Sequence, residues 1–171
     1  MKGYVQVYTG EGKGKTTAAL GLALRAAGAG LNVYFAQFAK GMKSSEIESI
    51  KRLSDQITIR QYGNVSFING TPKEEDISAA RKGLREAKES MLSGRYQIII
   101  LDEANIAAYY NLFSAEELLA LVRLKPYDVE LVITGRYADP RIVEAADLVT
   151  EMKDIKHYYR NGISARDGIE K

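Results

Sequence analysis

Three glycines, two lysines and two threonines are packed into Gly10-Glu11-Gly12-Lys13-Gly14-Lys15-Thr16-Thr17, directly after the apolar run Val5-Gln6-Val7-Tyr8-Thr9. This composition suits a phosphate cradle. Glycines let the backbone adopt conformations closed to other residues and turn several N–H groups inward, and a helix opening near Lys15 adds its positive dipole end. Lys15 supplies a point charge to the phosphates and the Thr16 hydroxyl a ligand for magnesium. The usual pattern opens with glycine where this chain has Thr9. The bland alternative is a glycine-rich turn, but a strand before and a helix after favour phosphate binding, with Thr9, Gly10, Gly12, Lys13, Gly14, Lys15, Thr16 and Thr17 as its residues.

Ile98-Ile99-Ile100-Leu101-Asp102-Glu103 is an apolar strand that stops abruptly in two carboxylates. An acid at the carboxyl end of such a strand can face a phosphate loop and hold magnesium directly or through water. Asp102 is the better ligand candidate. Glu103 can bind the same metal, activate a nucleophile or cap the next segment, and its position does not choose among these. Ile133-Thr134-Gly135-Arg136 places a permanent cation at another strand end, on the rim where open α/β sheets bind ligands. Arg136 can clamp phosphate oxygens, though a lone arginine there is also an ordinary surface ion-pair partner. The single histidine, His157, has no carboxylate partner at a suggestive spacing and reads as structural or ligand-lining. Tyr109 and Tyr110 follow the acidic pair closely enough to border a site, with packing as their default role.

These residues need a scaffold that brings strand ends together. Apolar, β-rich runs occur at Tyr4 to Tyr8, Asn32 to Phe38, Ile57 to Gln61, Gln97 to Leu101, Glu130 to Thr134 and Leu148 to Met152. Their character suits strands buried on both faces of a parallel sheet. Helical stretches fall between them at Thr16 to Ala27, Ser45 to Leu53 and Pro72 to Met91, then from the capping box at Ser114 through about Arg123, and at Pro140 to Ala146. The alternation predicts a three-layer α/β domain with a mainly parallel sheet of about six strands and right-handed crossovers.

Composition sets outer bounds. The chain has 171 residues, 46% of them hydrophobic, enough for one domain, residues 1–171, with a sizeable core. Its 24 basic and 22 acidic side chains leave a net charge of +2, which offers no support for nucleic acid or an anionic membrane as partner. Without cysteine there is no thiol catalysis, disulfide or zinc-thiolate site. No signal peptide or membrane span of roughly 20 apolar residues is evident, so a cytoplasmic location is expected. Together the motifs point to a nucleoside triphosphate with magnesium, without saying which bond breaks. Phosphoryl transfer needs charge stabilisation at the γ-phosphate, and attack at the ribose 5′-carbon needs a strong nucleophile and a stabilised triphosphate leaving group. No protein nucleophile is suggested, so the nucleophile is expected to come with the second substrate.

Across nearly its whole length the sequence resembles the P-loop ATP:corrinoid adenosyltransferases, which act on cob(I)alamin or cob(I)yrinic acid a,c-diamide. The resemblance is carried by Tyr8 through Ala19, Gln37-Phe38-Ala39-Lys40-Gly41, Leu101-Asp102-Glu103, Ile133-Thr134-Gly135-Arg136 and Ala145 through Met152. It continues in Ile155-Lys156-His157, Gly162-Ile163-Ser164-Ala165-Arg166 and Gly168-Ile169-Glu170. Thr9 is that family's own form of the loop.

The resemblance implies a P-loop NTPase-like, recombinase-like fold and a reaction in which Co(I) of the corrinoid attacks the 5′-carbon of ATP, releasing triphosphate. It also implies a triphosphate lying in the loop in the reverse of the usual sense, leaving the 5′-carbon open to the corrinoid. Gly12 to Thr17 then bind phosphate, and Thr16 with Asp102 or Glu103 serves Mg2+ or Mn2+. Lys15, Arg136 and Glu103 are the expected catalytic residues. Gln37 lies near the substrates, with Phe38 and Lys40 near the corrinoid. A homodimer, and a reductase that supplies Co(I), are the partners implied.

Two departures are visible. The family's N-terminal helical extension, which covers the nucleotide across the dimer, has no counterpart before the first strand at about Tyr4, so that cover is expected to be absent or supplied otherwise. The family's Phe-x-Trp segment, thought to displace the lower axial ligand, is also missing, for the chain has no tryptophan; Phe67, with Tyr62 as a second candidate, is the expected replacement on the lower corrinoid face. A small-molecule kinase is the alternative activity, and a nucleotide-dependent switch or nucleic-acid-associated module the third.

Overall fold

The computed structural model describes residues 1–39, 45–50, 52, 55–63 and 72–170. Its strands are β1 (Val5–Thr9), β2 (Val33–Phe38), β3 (Ile57–Tyr62), β4 (Ile98–Asp102), β5 (Glu130–Thr134) and β6 (Leu148–Glu151). All neighbours pair in parallel, in the order β3-β2-β4-β5-β1-β6. The helices are α1 (Lys15–Gly28), α2 (Ser45–Ile50), α3 (Glu74–Leu92), α4 (Ala104–Tyr109), α5 (Ala115–Leu124) and α6 (Pro140–Ala145), and a 3-10 turn spans Tyr158–Asn161.

Side-chain alternation divides the interior in two. Val33, Phe35, Ile98, Ile100 and Val132 pack with Ala19, Ala23 and Ala26 of α1. Their neighbours Tyr34, Ala36, Phe38, Ile99, Leu101 and Ile133 point to the other face, where α3, α4, α5 and α6 cover them. A strand sandwiched this way has no polar face, which is why β2 and β4 are buried along their whole length. β6 departs from the expectation of strands buried on both faces. It pairs only with β1, and all four of its residues are exposed, including Leu148 and Val149.

Helix starts follow the sequence signals closely. Ser114 Oγ accepts from the Glu117 N–H, and Glu117 accepts in return from the Ser114 N–H, closing a reciprocal capping box on α5. The Glu117 carboxyl is held below the usual range, first by that Ser114 N–H. Asp139 caps α6 at the Arg141 N–H, and the Arg141 side chain holds its pKa at about 2. Among the described α-helices, α4 alone has no counterpart in the expected set, and the 3-10 turn at Tyr158–Asn161 has none either. Helix α4 is six residues long and begins straight after β4, where Glu103 turns the chain in a left-handed conformation with φ 59°.

Candidate active site

The ends of β1, β4 and β5 converge beneath the phosphate loop. Gly10 has φ 96° and Gly14 has φ 122°, conformations that a side chain strains, and Gly14 is the N-cap of α1. A Cβ on Gly10 would also lie 2.4 Å from the Met152 carbonyl oxygen. That contact is close because the loop is stitched to Met152, just past the end of β6: the Met152 N–H donates to Thr9 O and the Gly12 N–H to Met152 O, at 2.8 and 2.7 Å. Thr9 thus takes part through its backbone.

Lys15 is buried at 6% exposure, and its ammonium donates to the carbonyls of Gly10 and Gly12, each at 2.7 Å. Desolvation lowers its pKa below the ordinary lysine range. Thr16 Oγ1 donates to Asp102 Oδ2 at 3.2 Å. Asp102 is wholly buried, with further bonds from Gln37 Nε2 at 2.9 Å and from Thr134 Oγ1 to its other oxygen at 2.6 Å. The pairing of β2 with β4 sets Gln37 opposite Asp102, and Gln61 Nε2 in turn donates to Gln37 Oε1 at 2.8 Å. Thr134 links the two acids, because its Oγ1 also accepts from the Glu103 N–H at 3.0 Å. A buried carboxylate satisfied by three donors is a fixed group, suited to holding charge in one place.

Above these residues opens a cavity of about 930 Å³. Gly12 through Thr17 line it, together with Glu103, Arg136, and Ile106 and Tyr110 of the α4 region. Arg136 is half exposed and pairs with Glu11 at 3.4 Å. Ala39, residues of α2, and His157, Gly168, Ile169 and Glu170 of the tail complete the lining. His157 lines the cavity, and its Nδ1 accepts from the Tyr159 N–H at 3.1 Å to cap the 3-10 turn, a structural role.

Among the described residues no group of three His, Cys, Asp or Glu side chains could hold a metal. A divalent ion here would instead draw on the Thr16 hydroxyl and the Asp102 carboxylate, which already lie within one coordination sphere of each other. Its remaining ligands would be phosphate and water oxygens, the usual habit of magnesium at phosphate sites.

Some expected site residues are placed elsewhere. Phe38 is fully buried, stacked on Tyr62 and edge-on to Phe113, so its ring belongs to the core and has no surface to offer a corrinoid. The cavity is met instead by Ala39, in a left-handed turn at φ 52°. Tyr62 is also core: its hydroxyl donates to Glu86 and bonds Tyr34, and burial raises its pKa above the phenol range. Lys40 and Phe67 lie outside the described residues. Lys13 keeps its backbone in the loop, while its ammonium bonds Glu170 and the Tyr158 hydroxyl at 2.8 and 3.2 Å. The tail, Ile106 and the residues of α2 were not among the expected site residues. Only the tail carried a signal, a distinctive run ending Gly168-Ile169-Glu170, without a chemical motif to place it.

A glycine loop between β1 and α1, with an acid at the end of β4 in a parallel sheet, defines a P-loop nucleotide-binding α/β protein. The profile of the family described as ATP:corrinoid adenosyltransferase BtuR/CobO/CobP matches residues 1–170, and the chain belongs to that family of transferases. It is 37% identical to a corrinoid adenosyltransferase of Sinorhizobium sp, over 99% of this chain and 80% of the relative. Identity is 33% to the corrinoid adenosyltransferase of Pseudomonas aeruginosa, covering 99% of this chain and 84% of that one. The corrinoid adenosyltransferase CobA of Salmonella typhimurium is 31% identical, over 99% and 86%. In fold alone the chain is similar to the flagellar accessory protein FlaH of Methanocaldococcus jannaschii, with TM-score 0.61 at 12% identity, covering 88% of this chain and 71% of that one.

Proposed function

We propose that this protein transfers the 5′-deoxyadenosyl group of ATP to the Co(I) centre of a reduced corrinoid and releases triphosphate. The reading is carried by the meeting of buried Lys15 and Asp102 with the partly exposed Thr16 at the carboxyl ends of the strands, in a chain of the corrinoid adenosyltransferase family. In the transfer, the electron pair of Co(I) forms the cobalt–carbon bond as the 5′-carbon to oxygen bond breaks, and that bond's electrons leave with the triphosphate. The chain's part is to hold the leaving group. N–H groups of the loop, the Lys15 ammonium and the Arg136 guanidinium offset the charge that grows on the triphosphate oxygens, so they bind the transition state better than ATP itself. Thr16 and Asp102 would hold magnesium, which would supply further positive charge to the phosphates. Glu103, held in its left-handed turn and lining the cavity, would orient the nucleotide.

A cavity of about 930 Å³ is ample for a nucleotide and leaves the larger corrinoid to approach from its mouth. The enzyme works as a cytoplasmic homodimer with a reductase that delivers Co(I); family membership supports these assignments. Anaerobic incubation with ATP, magnesium and chemically reduced cob(I)alamin tests the activity. The Co(I) spectrum should give way to that of a light-sensitive alkylcobalamin, and the Lys15→Ala protein should leave it unchanged. Persistence of Co(I) with the parent protein, with cobinamide as well as cobalamin, would overturn the reading.

A further inference from the structure

The Glu170 carboxylate gathers bonds from Lys13, Tyr158 and Arg166. One oxygen accepts from Lys13 Nζ at 2.8 Å, from Arg166 at 3.2 Å and from the Tyr158 hydroxyl. The other accepts from the Arg166 N–H at 2.9 Å and from Arg166 Nε at 3.3 Å. The Arg166 guanidinium lies 4.9 Å above the Tyr158 ring, with Lys13 Nζ 5.9 Å from it. Arg166, then Lys13 and Tyr158, hold the carboxyl well below the usual carboxylate range.

Lys13 is the one partner that belongs to the phosphate loop. It stands between Gly12 and Gly14, the stretch of loop with the least intrinsic restraint on its backbone. Anchoring its side chain removes that freedom before a ligand arrives, and the cost of ordering the loop's N–H groups is then met in folding and not in binding. The Glu170 side chain is only 15% exposed, which screens the pair less than an open surface pair. The same contact ties Glu170 to the loop, and Gly168, Ile169 and Glu170 line the same cavity as Gly12 through Gly14.

We propose that Glu170 is a positioning residue for nucleotide binding, acting through Lys13 to fix the phosphate loop and to hold the tail against it where both line the cavity. The inference rests on the nucleotide reading above but not on the corrinoid. Calorimetric titration with ATP and magnesium, without corrinoid, is the direct test. Glu170→Gln should weaken ATP about tenfold, Tyr158→Phe about threefold, and Glu170→Asp should recover most of the affinity. Far-ultraviolet circular dichroism should remain that of the parent.

In a Lys13→Met background, Glu170→Gln should add little further loss, because the contact is already gone. Unchanged or tighter binding by Glu170→Gln would overturn the proposal, as would losses that add fully in the double variant. Should the parent bind ATP with this dependence yet fail to adenosylate a corrinoid, the functional reading falls and the positioning role stands. A parent protein that binds no ATP would overturn both.

Discussion

The two lysines of the phosphate loop sit in opposite settings. Lys15 is buried and held by backbone carbonyls of the loop, above a network rooted in Asp102 at the centre of the sheet. Lys13 is 39% exposed and held by a carboxylate from the far end of the described chain. The inner region is fixed by long-range parallel pairing and by buried polar groups bonded to one another. The outer region rests on a few partly exposed charges. Buried charge-assisted bonds are costly to break, whereas exposed pairs contribute little and weaken with salt. Function on this account is graded from inside to outside.

The largest break should come at Lys15. Lys15→Ala should weaken ATP by about a hundredfold or more, the scale of losing a desolvated charge from its ligand, as read by calorimetry. Asp102→Ala comes next. It strands the donors of Thr16, Gln37 and Thr134, and urea unfolding should show about 3 kcal/mol of lost stability. ATP affinity should also lose its dependence on magnesium. Retention of both properties would place Asp102 outside the site.

Legibility in the sequence follows the same gradient. The loop, the Asp102 strand end and Arg136 were readable because each sits where an apolar run meets a turn, and parallel pairing sends all such ends to one edge. Phe38 was expected near the corrinoid only through the family resemblance, and strand alternation turns its ring inward against Tyr62 and Phe113. The helix α4 left too few residues for a periodic pattern, and its start depends on a left-handed Glu103 that no composition rule announces. The wall made by Glu170 depends on a contact spanning 157 residues of sequence, which no local spacing encodes.

Smaller effects sharpen the contrast. Arg136→Gln removes a half-exposed cation and should lower kcat/KM for ATP about tenfold, with unfolding unchanged. The pH response of Lys15 has two signs. Its folded pKa lies below that of the unfolded chain, so the folded state binds fewer protons between the two values, and this group's contribution to stability rises with pH there. ATP binding needs the ammonium and should fall over that same window, earlier than for an ordinary lysine. Stability and affinity that rise or fall together over that window would contradict the burial of a charged Lys15. The smallest expected effect is remote from the site: Ser114→Ala opens the capping box of α5 and should cost about 1 kcal/mol of stability while leaving ATP affinity intact.

In the proposed transfer, the buried end of the loop stabilises triphosphate as a leaving group. Phosphorus NMR of the products formed anaerobically from ATP, magnesium and cob(I)alamin tests it most directly. The account predicts inorganic triphosphate in one-to-one ratio with adenosylated corrinoid. ADP with inorganic phosphate, and no alkylated cobalt, would contradict it and make the protein a phosphotransferase built on the same loop.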